Sequence, residues 1–129
     1  ANLEMANRPW LARVALQVIH VHCRPLQTCM LLVGTETNEM IFSGDLDSRC
    51  PITSTRHAIR DLNLSVTEPW RPWTVSHEVG GYVQQYKGGF AFATVRGAGH
   101  TIPTFQPERA LILLQSFLKG ILPPYEKAK

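Results

Sequence analysis

The chain has no long apolar run, no run of basic residues and only three cysteines among its 129 residues. Each shortage excludes something. The longest apolar runs, such as residues 110–114, fall far short of the roughly 20 residues that cross a bilayer. Thirteen Lys and Arg against ten Asp and Glu leave a formal charge of +3. That excess is too mild to specify nucleic acid or an anionic membrane as a partner. Three cysteines cannot staple a disulfide-dense miniprotein, and an odd number leaves at least one thiol free or paired with another chain. The N-terminus has no charged start followed by an apolar stretch and a small-residue cleavage site. Internal repeats and low-complexity tracts are also missing, as are a phosphate-binding Walker loop and a G-x-G-x-x-G turn.

What remains is 44% hydrophobic and 18% charged. This composition supports a folded core at the size of one domain. Residues 10–19 are apolar apart from Arg13 and Gln17, whose i, i+4 spacing marks one wet face of a helix. Pro9 suits its first turn, and Pro25 stops any continuation. The β-branched cluster at Val18, Ile19 and Val21 leaves a strand open as the alternative. Residues 39–44 form a short apolar run that ends at Gly44, the pattern of a buried strand entering a loop. Residues 53–62 then predict an amphipathic helix with a Ser or Thr N-cap and an apolar side of Ala58, Ile59 and Leu62. Residues 63–80, broken by Asn63, Pro69, Pro72 and Gly80, predict a connection anchored by Trp70 and Trp73. Two alternating runs, 82–86 and 90–95, flank Lys87-Gly88-Gly89 and predict a β-hairpin. A tight loop holds Gly97, Ala98, Gly99 and His100. The clearest helix is 107–119, with Pro107 at its start, Glu108 in its first turn and Gly120 just past its end. Its wide apolar face comprises Ala110, Leu111, Leu113, Leu114, Phe117 and Leu118.

Two loops stand out, because each follows a strand and precedes a helix, where α/β sheets carry active-site groups. One holds Asp45 and Asp47; the other holds His100. An aspartate from the first would fix the imidazole's tautomer, and the imidazole would serve as general base and acid. The plainer alternative makes Asp45 a turn-closing residue and His100 a surface loop residue. His20, His22, Cys23 and Cys29 match none of the common zinc spacings, so buried or disulfide cysteines are the better reading and no metal is expected. Cys50, beside Arg49, is either a reactive thiol or a buried loop cysteine. Asn63-Leu64-Ser65 is a glycosylation sequon in a loop. Trp70, Trp73, Tyr82, Tyr86 and Phe92 form either an aromatic surface or part of the core. No G-x-S-x-G elbow surrounds a serine. The order acid then histidine nevertheless suits a hydrolase whose serine lies upstream.

The runs Ile41-Phe42-Ser43-Gly44-Asp45-Leu46-Asp47, Pro51-Ile52-Thr53-Ser54-Thr55-Arg56, Glu68-Pro69-Trp70-Arg71-Pro72-Trp73 and Glu78-Val79-Gly80-Gly81-Tyr82 resemble the C-terminal part of plant serine carboxypeptidases. So do Thr94-Val95-Arg96-Gly97-Ala98-Gly99-His100 with Pro103, and Gln106-Pro107-Glu108-Arg109-Ala110. Residues 1–39, read as a largely helical segment, carry no such likeness. Residues 40–129 read as the C-terminal portion of an α/β-hydrolase domain.

The resemblance implies an α/β fold, acyl-transfer chemistry by a Ser-Asp-His triad, and no cofactor. Asp47 and His100 fall on the triad acid and base. The resemblance implies release of C-terminal residues from peptides, with acyltransferase or hydroxynitrile lyase chemistry as alternatives on the same scaffold. A truncated, non-catalytic fragment with a binding or structural role is the further alternative. The implied partner is an upstream chain carrying the nucleophilic serine, for which Cys23 or Cys29 are candidate interchain disulfides. A peptide or small acyl compound is the implied substrate. Vacuolar or extracellular localisation follows from the same likeness, and would make Asn63 a glycan acceptor. Cys50 stands where yeast-type relatives carry a cysteine near the substrate pocket. Thr101 replaces a glutamate that many plant relatives carry beside the leaving-residue pocket.

Overall fold

A computed structural model describes residues 19–23, 27–34 and 38–127. Among the described residues six strands and three helices follow one another: β1 (Ile19–Cys23), β2 (Gln27–Gly34), β3 (Glu39–Gly44), α1 (Ile52–Asp61), β4 (Val66–Val75), β5 (Glu78–Tyr86), β6 (Phe90–Val95), α2 (Ile102–Phe105) and α3 (Pro107–Leu118). The strands form one sheet in the order β1-β2-β3-β6-β5-β4. β3 and β6 run parallel at its centre, Glu39 opposite Phe90 and Gly44 opposite Val95, while the other neighbours are antiparallel. Parallel pairing brings the loops after β3 and β6 to the same edge of the sheet. That edge carries the site.

Alternation along the central strands divides their side chains between two cores. Met40, Phe42, Ala91, Ala93 and Val95 pack with Trp73, Val83, Leu113 and Phe117, beneath α3. Ile41, Phe90 and Phe92 pack with Cys50 and Ile59 beneath α1. The result is a three-layer α/β arrangement whose central strands are buried on both faces.

The hairpin and α3 match the sequence expectations. Gly120 takes φ 68° past the helix end, and Ile121 N–H reaches back to the Ser116 carbonyl at 3.1 Å. Leu111, expected in the apolar face, is instead 53% exposed. In α1 the buried positions are Thr55 and Ile59, with Ile52 packed beside them, whereas Ala58 and Leu62 are exposed. Thr55 tolerates burial because its hydroxyl meets the Ser43 hydroxyl at 3.4 Å and the Cys50 thiol at 3.9 Å. No Ser or Thr caps α1: Pro51 stands at the N-cap, and its carbonyl accepts the Ser54 amide at 2.9 Å.

Two expectations are corrected. Residues 66–75 are a strand, not a connection. Pro69 and Pro72 are tolerated because β4 is the outermost strand and is irregularly paired, with a register shift between Glu68 and Arg71. The C-terminal tail covers that edge, its Pro124 carbonyl accepting the Thr74 amide at 2.8 Å. Within residues 1–39, read as largely helical, Ile19–Cys23 and Gln27–Gly34 are strands, the first of them at the β-branched cluster where a strand was the alternative. The helix expected over residues 10–19 otherwise lies outside the described residues.

Candidate active site

Gly44 ends β3 and Val95 ends β6, so the Asp loop and the His loop leave the sheet side by side. Their backbones touch. A Cβ at Gly44 would stand 2.2 Å from the Ala98 carbonyl oxygen, which is why only glycine fits there. Successive residues of the first loop then grip the second. Asp45 N–H donates to the Val95 carbonyl at 3.0 Å, and Leu46 N–H donates to the Ala98 carbonyl at 3.0 Å. At the third step the grip passes to side chains: His100 Nδ1 lies 2.9 Å from Asp47 Oδ2.

Asp47 is held from behind as well. Its Oδ1 accepts the backbone N–H groups of Arg49 at 2.9 Å and Cys50 at 3.0 Å. The side chain is only 4% exposed. Burial works to raise its pKa. The Cys50 amide, the His100 ring, the Arg49 amide and the nearby imidazole charge outweigh that burial, and hold the carboxyl below its ordinary value of 3.8. An ionised carboxylate can only accept, so Nδ1 carries the proton. In the neutral ring Nε2 is therefore the basic nitrogen. The His100 side chain is 34% exposed, and among the described residues its ring makes no other hydrogen bond. This arrangement gives an oriented imidazole with an accessible base position and a buried anion that stabilises its protonated form.

The other candidates fall around this pair. Cys50 is 1% exposed, with its thiol turned toward Thr55, which fits a buried loop cysteine. Thr101 is exposed and stands at the N-cap of α2, its carbonyl accepting the Thr104 amide at 3.0 Å. Asn63 lies exposed in the turn after α1 with φ 52°. Cys23 and Cys29 lie on β1 and β2, as do His20 and His22 on β1. Trp73 and Phe92 are core residues, and the ring of Trp70 stacks on Phe92 at 5.5 Å and on Tyr82 at 6.2 Å.

Sequence reasoning missed the supports of the His loop. Asp45 Oδ1 accepts the Gly97 amide at 2.7 Å. Gln106 Nε2 donates to the Gly97 carbonyl at 3.2 Å, and Arg109 Nη1 donates to the Arg96 carbonyl at 2.6 Å. Nothing in the local pattern signals these bonds: the first joins residues 52 apart in the chain, and the other two reach from the start of α3 back to the loop before His100.

The serine carboxypeptidase family model matches residues 20–120, starting upstream of residue 40, where the motif likeness begins. Serine carboxypeptidase-like 40 of Arabidopsis thaliana is 49% identical over 87 residues, which is 67% of this chain and 17% of the relative. Serine carboxypeptidase 24 of the same plant is 56% identical over 80 residues, 62% of this chain and 17% of the relative. Serine carboxypeptidase-like 33 is 43% identical over 95 residues, 74% of this chain and 20% of the relative. The chain therefore spans about a fifth or less of the length of these curated relatives. With the matched span covering most of its residues and the Asp47–His100 pair inside that span, the chain belongs to the serine carboxypeptidase family.

Proposed function

We propose that this chain supplies the acid and the base of a Ser-Asp-His triad in a serine carboxypeptidase-type hydrolase. The observation that carries the reading is the 2.9 Å contact between His100 Nδ1 and the buried Asp47 carboxylate. Family membership implies an α/β-hydrolase fold, with which the mixed sheet and its flanking helices are consistent. Because the chain spans so little of its relatives' length, the nucleophilic serine and the oxyanion-hole donors come from a segment or partner chain outside it.

In the mechanism, His100 Nε2 takes the proton of that serine as the hydroxyl attacks the substrate carbonyl. Asp47 stabilises the imidazolium that forms, without itself becoming protonated. The proton then passes to the leaving amine. An acyl-enzyme on the serine is released by water, which His100 activates in the same way. The substrate is a peptide with a free C-terminus. Acyl transfer to an alcohol in place of water, or cyanohydrin cleavage, are the alternative chemistries on the same pair.

The reading also places the protein in the secretory pathway, with a glycan on Asn63 and a bridge from Cys23 or Cys29 to the serine-bearing chain. Fluorophosphonate labelling and non-reducing mass analysis test it together. The expected result is a label on a second, disulfide-linked chain and none on the 129-residue chain. A label on this chain by itself contradicts it.

A further inference from the structure

The dyad is not the whole of what the Asp loop does. Asp45, two residues before the triad acid, sends its carboxylate to the other loop, where Oδ1 accepts the Gly97 amide at 2.7 Å. Gly97 has φ 74°, a left-handed conformation that an unsupported chain would leave readily, and it stands three residues before His100. Its carbonyl is held as well, by Gln106 Nε2 at 3.2 Å. A Cβ on Gly97 would lie 2.8 Å from that same Nε2, so the amide side chain is packed directly on the glycine. Both polar groups of one peptide-flanking residue are thus fixed by side chains from different elements: Asp45 from the end of β3 and Gln106 from the start of α3. One residue upstream, the Arg96 carbonyl accepts from Arg109 Nη1 at 2.6 Å, and Arg109 Nη2 lies 3.4 Å from Glu78 Oε2.

We infer that Asp45, assisted by Gln106, is a positioning residue for the catalytic pair: it holds Gly97 in its left-handed conformation, so that the His100 ring arrives already within hydrogen-bond distance of Asp47. Asp45 touches neither His100 nor any reacting atom in this account. Its anionic oxygen forms a charge-assisted bond to a backbone amide, the strong kind of hydrogen bond. Without that bond the His loop keeps the backbone tie from Leu46 to Ala98 but loses the one that sets the turn before the histidine. The inference rests on the proposed pairing of Asp47 and His100.

The test is the protonation state of the His100 ring, read by nitrogen-15 NMR in the full 129-residue chain. The variants D45N, D45A, Q106A and D47N are compared as a function of pH. D45N and D45A both remove the Asp45 charge. Positioning separates them. The carboxamide oxygen of D45N still accepts the Gly97 amide, so D45N retains the Nδ1-protonated ring. D45A loses the acceptor and shows roughly a tenfold rise in rings out of contact with Asp47, the size of one charged hydrogen bond. Q106A moves in the same direction by less.

If D45A fails to give a folded spectrum, the comparison of D45N and Q106A with wild type carries the test. A Q106A ring as firmly Nδ1-protonated as wild type then overturns the inference. In a folded D45A, a wild-type tautomer and loop overturn it too. A wild-type ring that already matches D47N is a different outcome: it removes the dyad itself, and with it the proposed function.

Discussion

Replacing Asp47 by asparagine isolates the electrostatic part of the site, because the side chain keeps its shape. In the wild type one carboxylate accepts three donors: the Arg49 and Cys50 amides on Oδ1 and His100 Nδ1–H on Oδ2. In D47N the carboxamide oxygen remains facing the two backbone amides, since turning it away would leave both unpartnered, that of Cys50 in a buried place. The carboxamide NH₂ then faces His100, and two donors cannot share one bond. The imidazole must move its proton to Nε2, so the nitrogen meant to accept a proton is already occupied. The structural cost is the exchange of charged for neutral hydrogen bonds, about 1.5–3 kcal/mol at neutral pH.

That cost has a definite pH dependence. The Asp47 carboxyl lies below its ordinary value of 3.8 in the folded chain. Its stabilisation is therefore complete above the unfolded value and is lost as pH falls through the depressed folded one. Urea unfolding followed across pH should show wild type and D47N far apart at neutral pH and converging in strong acid. In a complete enzyme the tautomer change costs on the order of 10⁴ in kcat. A stability gap that is absent at neutral pH, or equally large in acid, refutes this account of Asp47.

Three further outcomes follow from the packing. G44A drives a Cβ to 2.2 Å from the Ala98 carbonyl oxygen, so it should lower stability by about 1–3 kcal/mol and displace His100, seen as a lowered melting temperature and a changed ring resonance. L113A removes a side chain with 0% exposure and should cost about 2–5 kcal/mol in chemical denaturation, whereas L111A, at 53% exposure, should fall within about 0.5 kcal/mol of wild type. Cys50, at 1% exposure, should resist alkylation in the native chain and become reactive once the chain is denatured and reduced, as peptide mapping will show.

The sequence made the terminal helix legible because its start and stop residues agree with its apolar pattern: Pro107 and Glu108 at one end, Gly120 at the other. The two central strands were equally plain, as short apolar runs, one ended by Gly44 and the other followed by a loop of small residues. β4 was hidden because Pro69 and Pro72 signal a break, and only the sheet order reveals an outer strand where proline is harmless. The inner face of α1 was misjudged because hydropathy cannot foresee that Ser43 and Cys50 will provide partners for a buried Thr55. At the site, spacing indicated an aspartate and a histidine on neighbouring loops. The choice between Asp45 and Asp47 as triad acid came from family likeness alone. Asp47 turns inward against His100 while Asp45 reaches back to Gly97.

The central claim is that Asp47 and His100 complete a triad whose serine lies outside this chain. The most direct measurement is the peptidase activity of a chimera in which residues 40–124 of this chain replace the corresponding region of Arabidopsis serine carboxypeptidase 24, which is 56% identical over 80 shared residues. The chimera should release C-terminal residues, an activity lost in H100A and cut on the order of 10⁴-fold in D47N. A folded chimera that releases nothing, or one whose activity survives H100A, would contradict the claim.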